Sequence, residues 1–191
     1  MVILTISGKA ECGKDTTAKK IKAELEKYGY KVLVCHYADL LKYICTQFFS
    51  WDGKKDEEGR SLLQRVGTDS IRKQNPNYWV EFIKSMLTFF PDTWDYVLIP
   101  DTRFPNEIES LKKDGFIVKS IHITRPNYDN HLSNEQRNHP SETALDDFKF
   151  DYEIINPGTQ DGLDHEISDF MNKIFQGNIK QQIINKIKEN I

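Results

Sequence analysis

A glycine-rich stretch near the N-terminus, GKAECGKDTT at residues 8–17, has the residue types and spacing needed to bind phosphate. Gly8, Gly13 and Lys14 satisfy the pattern G-x-x-x-x-G-K. The glycines let backbone N–H groups turn toward phosphate oxygens, and the lysine adds a mobile positive charge. The stretch follows the apolar run VILTIS (2–7) and opens a helical pattern, whose N-terminus favours a bound anion. This position indicates a nucleotide-binding loop rather than a chance turn.

The loop departs from the simplest pattern at Asp15, where a serine or threonine would supply a hydroxyl to Mg²⁺. The arrangement G-K-x-T resembles adenylate kinase-like loops, which makes Thr16 the candidate for that hydroxyl. Asp15 has two interpretations, because it can orient a metal-bound water or favour the first helical turn. The residues expected to bind ATP are Gly8, Lys9, Ala10, Glu11, Cys12, Gly13, Lys14, Asp15, Thr16 and Thr17.

Strand and helix patterns alternate along the 191 residues. The pattern predicts strands at 2–7, 31–37, 95–100, 116–124 and 152–156, and helices at 14–28, 38–49, 60–73, 77–90, 104–115 and 161–175. The strand runs are apolar throughout, which is typical of a parallel sheet covered on both faces. We therefore expect an α/β fold with a central, mostly parallel sheet and helices on both of its faces. The length suits a single domain spanning 1–191.

Composition limits the class of protein. Apolar residues make up 38%, charged residues 29%, and the net charge is −3, so we expect a soluble protein without the basic face of a dedicated nucleic-acid binder. Cys12, Cys35 and Cys45 show no C-x-x-C spacing and indicate reduced thiols in a cytoplasmic protein. The first apolar run is too short for a signal peptide or a membrane span. We therefore expect neither a membrane nor a stable nucleic-acid partner.

Charged side chains follow the ends of two further predicted strands. Asp101 and Arg103 come after DYVLIP, and Arg125 follows the strand at 116–124. Ligands of open α/β sheets bind beyond the carboxyl ends of the strands, so we expect both arginines to converge with Lys14. Phosphoryl transfer needs cations around the moving group, and a guanidinium can bind two oxygens. Asp101 has three interpretations: it holds magnesium or its waters, contacts an acceptor, or caps a helix.

Several stretches, taken together and in this order, resemble the deoxynucleoside monophosphate kinases of tailed bacteriophages. They are SGKAECGKDTTA (7–18), LLQRVGTDSIRKQNPNYWV (62–80), YVLIPDTRFPNE (96–107), ITRP (123–126) and HPSETALDDF (139–148). They match a G-K-D-T loop, a Q-x-x-G-T-D segment followed by Y-W, strand ends P-D-T-R and R-P, and H-x-S-E. The resemblance covers roughly residues 1–157 and implies a P-loop kinase fold. The implied reaction transfers the γ-phosphoryl group of ATP, with Mg²⁺, to a deoxynucleoside monophosphate.

The resemblance also implies roles for parts of the chain. It implies an acceptor-binding helical part at about 38–90 and a lid at about 125–147, which closes over ATP and excludes water. The implied catalytic residues are Lys14, Asp101, Arg103 and Arg125, and the implied magnesium ligands are Asp15, Thr16 and Asp101. The implied acceptor-binding residues are Asp39, Arg65, Thr68, Asp69, Arg72, Trp79, Arg103 and Glu142.

Two groups of these acceptor-binding residues have a structural alternative. Asp39 begins a predicted helix and is equally explained as a helix cap. Arg65, Asp69 and Arg72 would share one face of an α-helix, which a surface ion-pair stripe also explains.

The aromatic and lid residues also leave alternatives open. Tyr78 and Trp79 would stack on the base or belong to the core, and Glu142 would anchor the lid or contact the acceptor. The segment INPGTQ (155–160) has Pro157 where the family usually has an aspartate, which leaves contacts to the donor base open.

The resemblance leaves three functional alternatives. In two of them the acceptor is not a deoxynucleoside monophosphate but a small metabolite or a modified base in DNA. In the third, the protein binds nucleotide without catalysis. A polar helical tail is predicted at 178–191, outside the resemblance. The resemblance allows a homodimer, and it implies a cytoplasmic location, in the host for a phage-encoded chain.

Overall fold

Five parallel strands form a single sheet in the computed structural model, which describes the backbone of residues 1–189 and the side chains of residues 1–177. The strand order is β2-β3-β1-β4-β5, and every pairing is parallel. The strands are β1 (Val2–Ser7), β2 (Val32–Val34), β3 (Tyr96–Thr102), β4 (Ile117–Thr124) and β5 (Tyr152–Ile155). The parallel sheet predicted from the continuous apolar runs is confirmed, although β2 is shorter than the expected 31–37.

Helices connect the strands and flank the sheet. They are α1 (Lys14–Lys27), α2 (Ala38–Phe49), α3 (Glu57–Gln64), α4 (Tyr78–Phe89), α5 (Asn106–Lys113), α6 (Asn134–Arg137), α7 (Pro140–Thr143) and α8 (Gln160–Glu189). A π-helical segment, Arg65–Arg72, continues directly from α3. Helix α3 begins earlier than the predicted residue 60, because the Asp56 side chain accepts a hydrogen bond from the Gly59 N–H and caps it.

The C-terminal part of the chain differs from the predicted pattern of a helix followed by a separate helical tail at 178–191. Helix α8 runs without interruption from Gln160 to Glu189. Asn190 and Ile191, the end of the predicted tail, lie outside the described residues.

The hydrophobic core is divided between the two faces of the sheet. Ile3 of β1 packs with residues of α2, α4 and α5, whereas Leu4 and Ile6 pack with residues of α1 and α8. The alternation follows from the twofold side-chain period of a strand. Both faces are therefore buried, and the polar residues at the carboxyl ends of the strands are left to form a site.

Two expectations from the composition concern thiols and membranes. Cys12, Cys35 and Cys45 are all buried and free. Within the helices that the structure describes, none combines the length and the apolar character that crossing a membrane requires.

Asp151 links the start of β5 to β4 and makes stability depend on pH. Its Oδ2 accepts hydrogen bonds from the N–H (2.8 Å) and the hydroxyl (2.9 Å) of Ser120, and lies 3.4 Å from Lys112 Nζ. Burial raises the pKa of this carboxyl, but the donors outweigh burial and hold the pKa below 3.8. A lowered carboxyl pKa stabilises the fold above the unfolded-state pKa, and this stability is lost as the pH falls.

Asp151→Asn is therefore expected to lower the free energy of unfolding at neutral pH by about 1 kcal/mol. The difference from the wild type should shrink below about pH 4, measured by urea denaturation across pH. Asp147→Asn, at an exposed aspartate nearby, serves as the control. A difference that stays constant down to about pH 3 would contradict the role of the carboxylate charge.

Candidate active site

Close approaches that only glycine permits shape the glycine-rich loop. Gly8 has φ +149°, and a Cβ there would lie 2.3 Å from the carbonyl oxygen of Ile123 in β4. Gly13 has φ +102°, and its Cβ would lie 2.5 Å from Nδ2 of Asn156, which follows β5. The same Nδ2 donates to the carbonyl oxygen of Cys12 at 2.8 Å. The ends of β4 and β5 therefore hold the curve of the loop.

Lys14, the first residue of α1, folds back over this loop. Its Nζ donates to the carbonyl oxygens of Gly8 (2.8 Å) and Lys9 (2.7 Å). Burial, with a contribution from the nearby Arg103 charge, lowers the pKa of Lys14 to about 8. An ammonium group held in this way gains stability when an anion arrives, and a phosphate group supplies that anion.

Glu142 joins the predicted lid to the loop and to Arg103. Its Oε1 lies 2.7 Å from Arg103 Nη1, and its Oε2 accepts the Ala10 N–H at 2.9 Å. The side chain is 8% exposed, and Lys9 Nζ donates to the Glu142 carbonyl oxygen. Of the two interpretations of Glu142, these contacts favour the anchor of the lid over the acceptor contact.

A cavity of about 410 Å³ opens between the loop and the helical part at 38–90. Its lining includes the charged residues Lys14, Asp15, Asp101 and Arg103. The lining also includes Leu41, Gln64, Thr68, Arg72, Trp79 and Phe104. A concave site that combines apolar side chains with convergent charged groups suits a small anionic ligand with an apolar part.

Both oxygens of Asp101 are used by the start of α2. Oδ1 accepts the Tyr37 N–H and Oδ2 accepts the Ala38 N–H, both at 2.9 Å. Asp101 therefore caps a helix, which was one of its three interpretations, but the helix is α2 and not the helix that follows its own strand. Each carboxylate oxygen retains a second lone pair, and Asp101 also lines the cavity, so the cap leaves room for a further polar contact.

The expected magnesium ligands differ in their placement. Asp15 and Asp101 both line the cavity, whereas Thr16 is exposed and lies outside its lining. Across the residues with described side chains, no cluster of three or more His, Cys, Asp or Glu is placed to hold a metal ion. Mg²⁺ in kinase sites takes one or two carboxylates plus substrate phosphates and waters, so the two aspartates fit such an ion.

Four expected acceptor-binding residues, Glu142 and the three described next, lie outside the lining of the cavity. Arg65 is exposed, and Asp69 Oδ1 lies 3.7 Å from His139 Nε2 at the edge of the lid. Asp39 accepts the His36 N–H at 3.0 Å and lies 3.0 Å from Lys42, as a residue near a helix start would. Thr68 and Arg72, in contrast, line the cavity.

Arg125 contacts the loop but lies outside the lining of the cavity. Its Nη1 donates to the Glu11 carbonyl oxygen at 3.4 Å, and its guanidinium carbon is 3.9 Å from the centre of the Tyr128 ring. Arg125 also approaches Gly158, in the segment expected near the donor base. The structure therefore brings Lys14 and Arg103 to the lining of the cavity and leaves Arg125 outside it.

Trp79 is both a core residue and part of the cavity wall. Its side chain is 3% exposed, and its Nε1 donates to the Gly67 carbonyl oxygen at 3.2 Å. Trp79 therefore belongs to the core, and its contact with a base stays a prediction, whereas Tyr78 is largely outside the core.

Glu107, which lines the cavity, was not among the residues expected from the sequence. Its side chain is 1% exposed and forms an ion pair with Arg72, whose guanidinium carbon lies 3.9 Å from the centre of the Phe104 ring. The same carboxylate accepts the N–H of Arg103 (2.6 Å) and the N–H of Phe104 (3.1 Å). One buried carboxylate thus orients Arg72, Arg103 and Phe104, which all line the cavity. The acidic residue in FPNE, just after a strand end, was the available signal.

His36, which was not among the expected site residues, also contacts the loop. Its Nε2 lies 3.3 Å from Asp15 Oδ1, and its Nδ1 lies 3.2 Å from Asp39 Oδ2. The hydrogen bond with Asp15 raises the pKa of His36. His36 therefore links the phosphate-binding loop to the first turn of α2.

Comparisons with known proteins show the family of this chain. The sequence profile of the family "Deoxynucleotide monophosphate kinase" matches residues 42–167. A protein of Ictalurid herpesvirus 1 (strain Auburn), "Uncharacterized protein ORF77", is 30% identical over 169 residues, which cover 88% of this chain and 69% of that protein. The deoxynucleotide monophosphate kinase of Enterobacteria phage T4 is 34% identical over 106 residues, which cover 54% of this chain and 41% of that protein.

A solved structure shows the same fold. The shikimate kinase of Bacteroides thetaiotaomicron superposes with a TM-score of 0.50 at 13% identity, covering 91% of this chain and 98% of that one. The fold is therefore that of a P-loop kinase, as the resemblance implied. The kinase family and fold speak against the alternative of a nucleotide-binding protein without catalysis. This chain belongs to the deoxynucleotide monophosphate kinase family and is a nucleotide kinase.

Proposed function

We propose that the protein transfers the γ-phosphoryl group of ATP to a deoxynucleoside 5′-monophosphate and forms the diphosphate. The observation that carries the proposal is the cavity, whose lining combines the cations Lys14 and Arg103 with the aromatic residues Phe104 and Trp79. The cations suit phosphates, and the aromatic residues suit a base and sugar. The single-domain division into an acceptor part at 38–90 and a lid at 125–147 is part of the same proposal.

In this proposal the donor lies along the loop and the acceptor lies in the cavity. Lys14 leaves the Gly8 and Lys9 carbonyl oxygens for the β and γ phosphates, and Arg103 neutralises charge that develops on the transferred group. Arg125, which contacts the loop at Glu11, contacts the donor nucleotide. Glu142 holds Arg103 in place.

In this proposal, the base and sugar of the acceptor lie against the wall formed by Leu41, Gln64, Thr68, Arg72, Trp79 and Phe104. Phe104 and Leu41 pack against the base, while Gln64, Thr68 and Arg72 offer polar groups to its edge. Trp79 backs this wall from the core. Because Glu107 already pairs with Arg72 and Arg72 packs on Phe104, this part of the wall is oriented before a nucleotide binds.

Magnesium belongs to the proposed mechanism. Asp15 and Asp101 would hold the ion or its waters, and the ion would neutralise the phosphates of ATP when bound. The lid at 125–147 excludes water from the site, which prevents transfer to water instead of the acceptor. A homodimer and a cytoplasmic location stay predictions, and sedimentation tests the first of them.

A screen of acceptors tests the proposal. ADP release is followed in a coupled assay with ATP and Mg²⁺, using each natural deoxynucleoside monophosphate, hydroxymethylated pyrimidines, and oligonucleotides that contain the modified base. We expect release with one or a few free monophosphates. Release only with oligonucleotides, or no release by folded protein with any acceptor, would refute the assignment of a free nucleotide as acceptor.

A further inference from the structure

Glu11 places a carboxylate at the tip of the phosphate-binding loop, where the other features favour anions. Its φ of +63° is unusual for a residue with a side chain. The side chain is only 28% exposed, so solvent screens its charge incompletely. A negative group in this position opposes a phosphate unless nearby donors neutralise it.

Three side chains from two other parts of the protein contact the Glu11 carboxylate, and one of them, Arg60, brings a fixed positive charge. Arg60 Nη2, from α3, lies 3.0 Å from Oε1. The Tyr128 hydroxyl (3.2 Å) and His131 Nδ1 (3.1 Å), both from the lid segment, lie near Oε2. The carboxylate therefore joins the loop to the acceptor part and to the lid.

Arg60 is the member of this group that also lines the cavity, together with Lys14 and Arg103. Its side chain is 28% exposed, and its Nε donates to the Lys55 carbonyl oxygen at 2.9 Å, which fixes the plane of the guanidinium. Carboxylate and phosphate oxygens are bound by the same planar set of guanidinium donors. A cation that contacts a carboxylate at the loop is therefore prepared to contact a phosphate there.

We propose that Arg60 is a further phosphate-binding residue of the kinase site and that Glu11 is its partner in the absence of nucleotide. The inference rests on the proposed function, because it adds a cation to the same phosphoryl-transfer site. A bound phosphoryl group, either of ATP or of the monophosphate acceptor, takes Arg60 from Glu11. Glu11 then competes with the ligand, so removing Glu11 and removing Arg60 have opposite effects on affinity.

Calorimetric titration of the full chain tests this prediction. ATP and each deoxynucleoside monophosphate are titrated separately into the wild type, Arg60→Gln, Glu11→Gln and the control Lys84→Gln. The control removes a comparably exposed ion pair, Lys84–Asp114, between α4 and α5. Arg60→Gln should raise the Kd of at least one ligand by about tenfold or more, whereas Glu11→Gln should lower that Kd. The ligand that is weakened identifies which phosphoryl group Arg60 binds.

A purely structural ion pair predicts a different pattern. Arg60→Gln and Glu11→Gln would then break the same contact and weaken binding alike, which would overturn the proposal, as would unchanged affinities in Arg60→Gln. Circular dichroism checks the folding of each variant, and Arg60→Lys, which keeps the charge but not the planar donor set, replaces a variant that fails to fold. It should weaken the same ligand, and wild-type affinity for every ligand in Arg60→Lys would overturn the proposal. Because binding needs no turnover, the ATP and monophosphate titrations test Arg60 even if the acceptor screen fails.

Discussion

Replacing Lys14 by alanine is expected to lower kcat/KM by about a thousandfold or more while the fold stays intact. The Nζ of Lys14 now contacts two carbonyl oxygens of its own loop, and burial beside Arg103 lowers its pKa to about 8. The Lys14 ammonium group is therefore poorly solvated, and the phosphates of the reacting nucleotides would stabilise its charge. Alanine removes this stabilisation from the transition state and removes no core side chain.

Steady-state kinetics of ADP release, with thermal unfolding as a check on the fold, measure this effect. Lys19→Ala on the exposed side of α1 is the matched control and should keep wild-type kinetics. Activity of Lys14→Ala within about tenfold of the wild type would contradict the assignment of the loop as the phosphate site.

Replacing Glu107 by alanine is expected to lower the free energy of unfolding by about 3–5 kcal/mol. The carboxylate is buried, pairs with Arg72, and accepts the N–H groups of Arg103 and Phe104. Its loss leaves the Arg72 guanidinium, itself only 11% exposed, as an unpaired buried charge. The loss also leaves two backbone donors without their acceptor, which adds a desolvation cost.

Urea denaturation measures the expected loss, and Glu109→Ala on the exposed side of α5 serves as the control. Glu107→Gln keeps an acceptor for the backbone but not the charge, so its stability should lie between those of the wild type and the alanine variant. A folded Glu107→Ala protein within about 1 kcal/mol of the wild type would show that this ion pair does not hold the site together.

Residues whose position follows from the sheet were predictable from the sequence. The loop lies at the end of β1 and Arg103 follows β3, so the adjacency of these parallel strands brings both to one edge. Periodicity likewise placed α2 at residues 38–49, and the structure has the same bounds. These features depend on patterns within short segments, which a single sequence records.

The face of the helix at 60–73 was less predictable. Arg65, Asp69 and Arg72 share a face only at the spacing of an α-helix, and the segment Arg65–Arg72 is π-helical. The altered spacing leaves Arg65 exposed, while Arg72 lines the cavity. No motif in the sequence signals this change of helix type.

Individual side-chain contacts between segments that are distant in the sequence were not predictable. Asn156 donates a hydrogen bond to Cys12 of the loop, 144 positions away, and Glu11 contacts Arg60, 49 positions away. Both pairs form because β5 and α3 pack beside the loop in the folded chain. The type of residue suggests a possible partner, but the fold decides which partner lies within reach.

The most direct test of the central claim follows the phosphoryl group itself. The protein is incubated with Mg²⁺, ATP labelled in its γ-phosphoryl group, and the acceptor that gives the fastest ADP release in the screen. We expect the label to appear in the deoxynucleoside diphosphate, in amounts equal to the ADP released. Label recovered only as inorganic phosphate, with the monophosphate unchanged, would contradict phosphoryl transfer to a deoxynucleoside monophosphate.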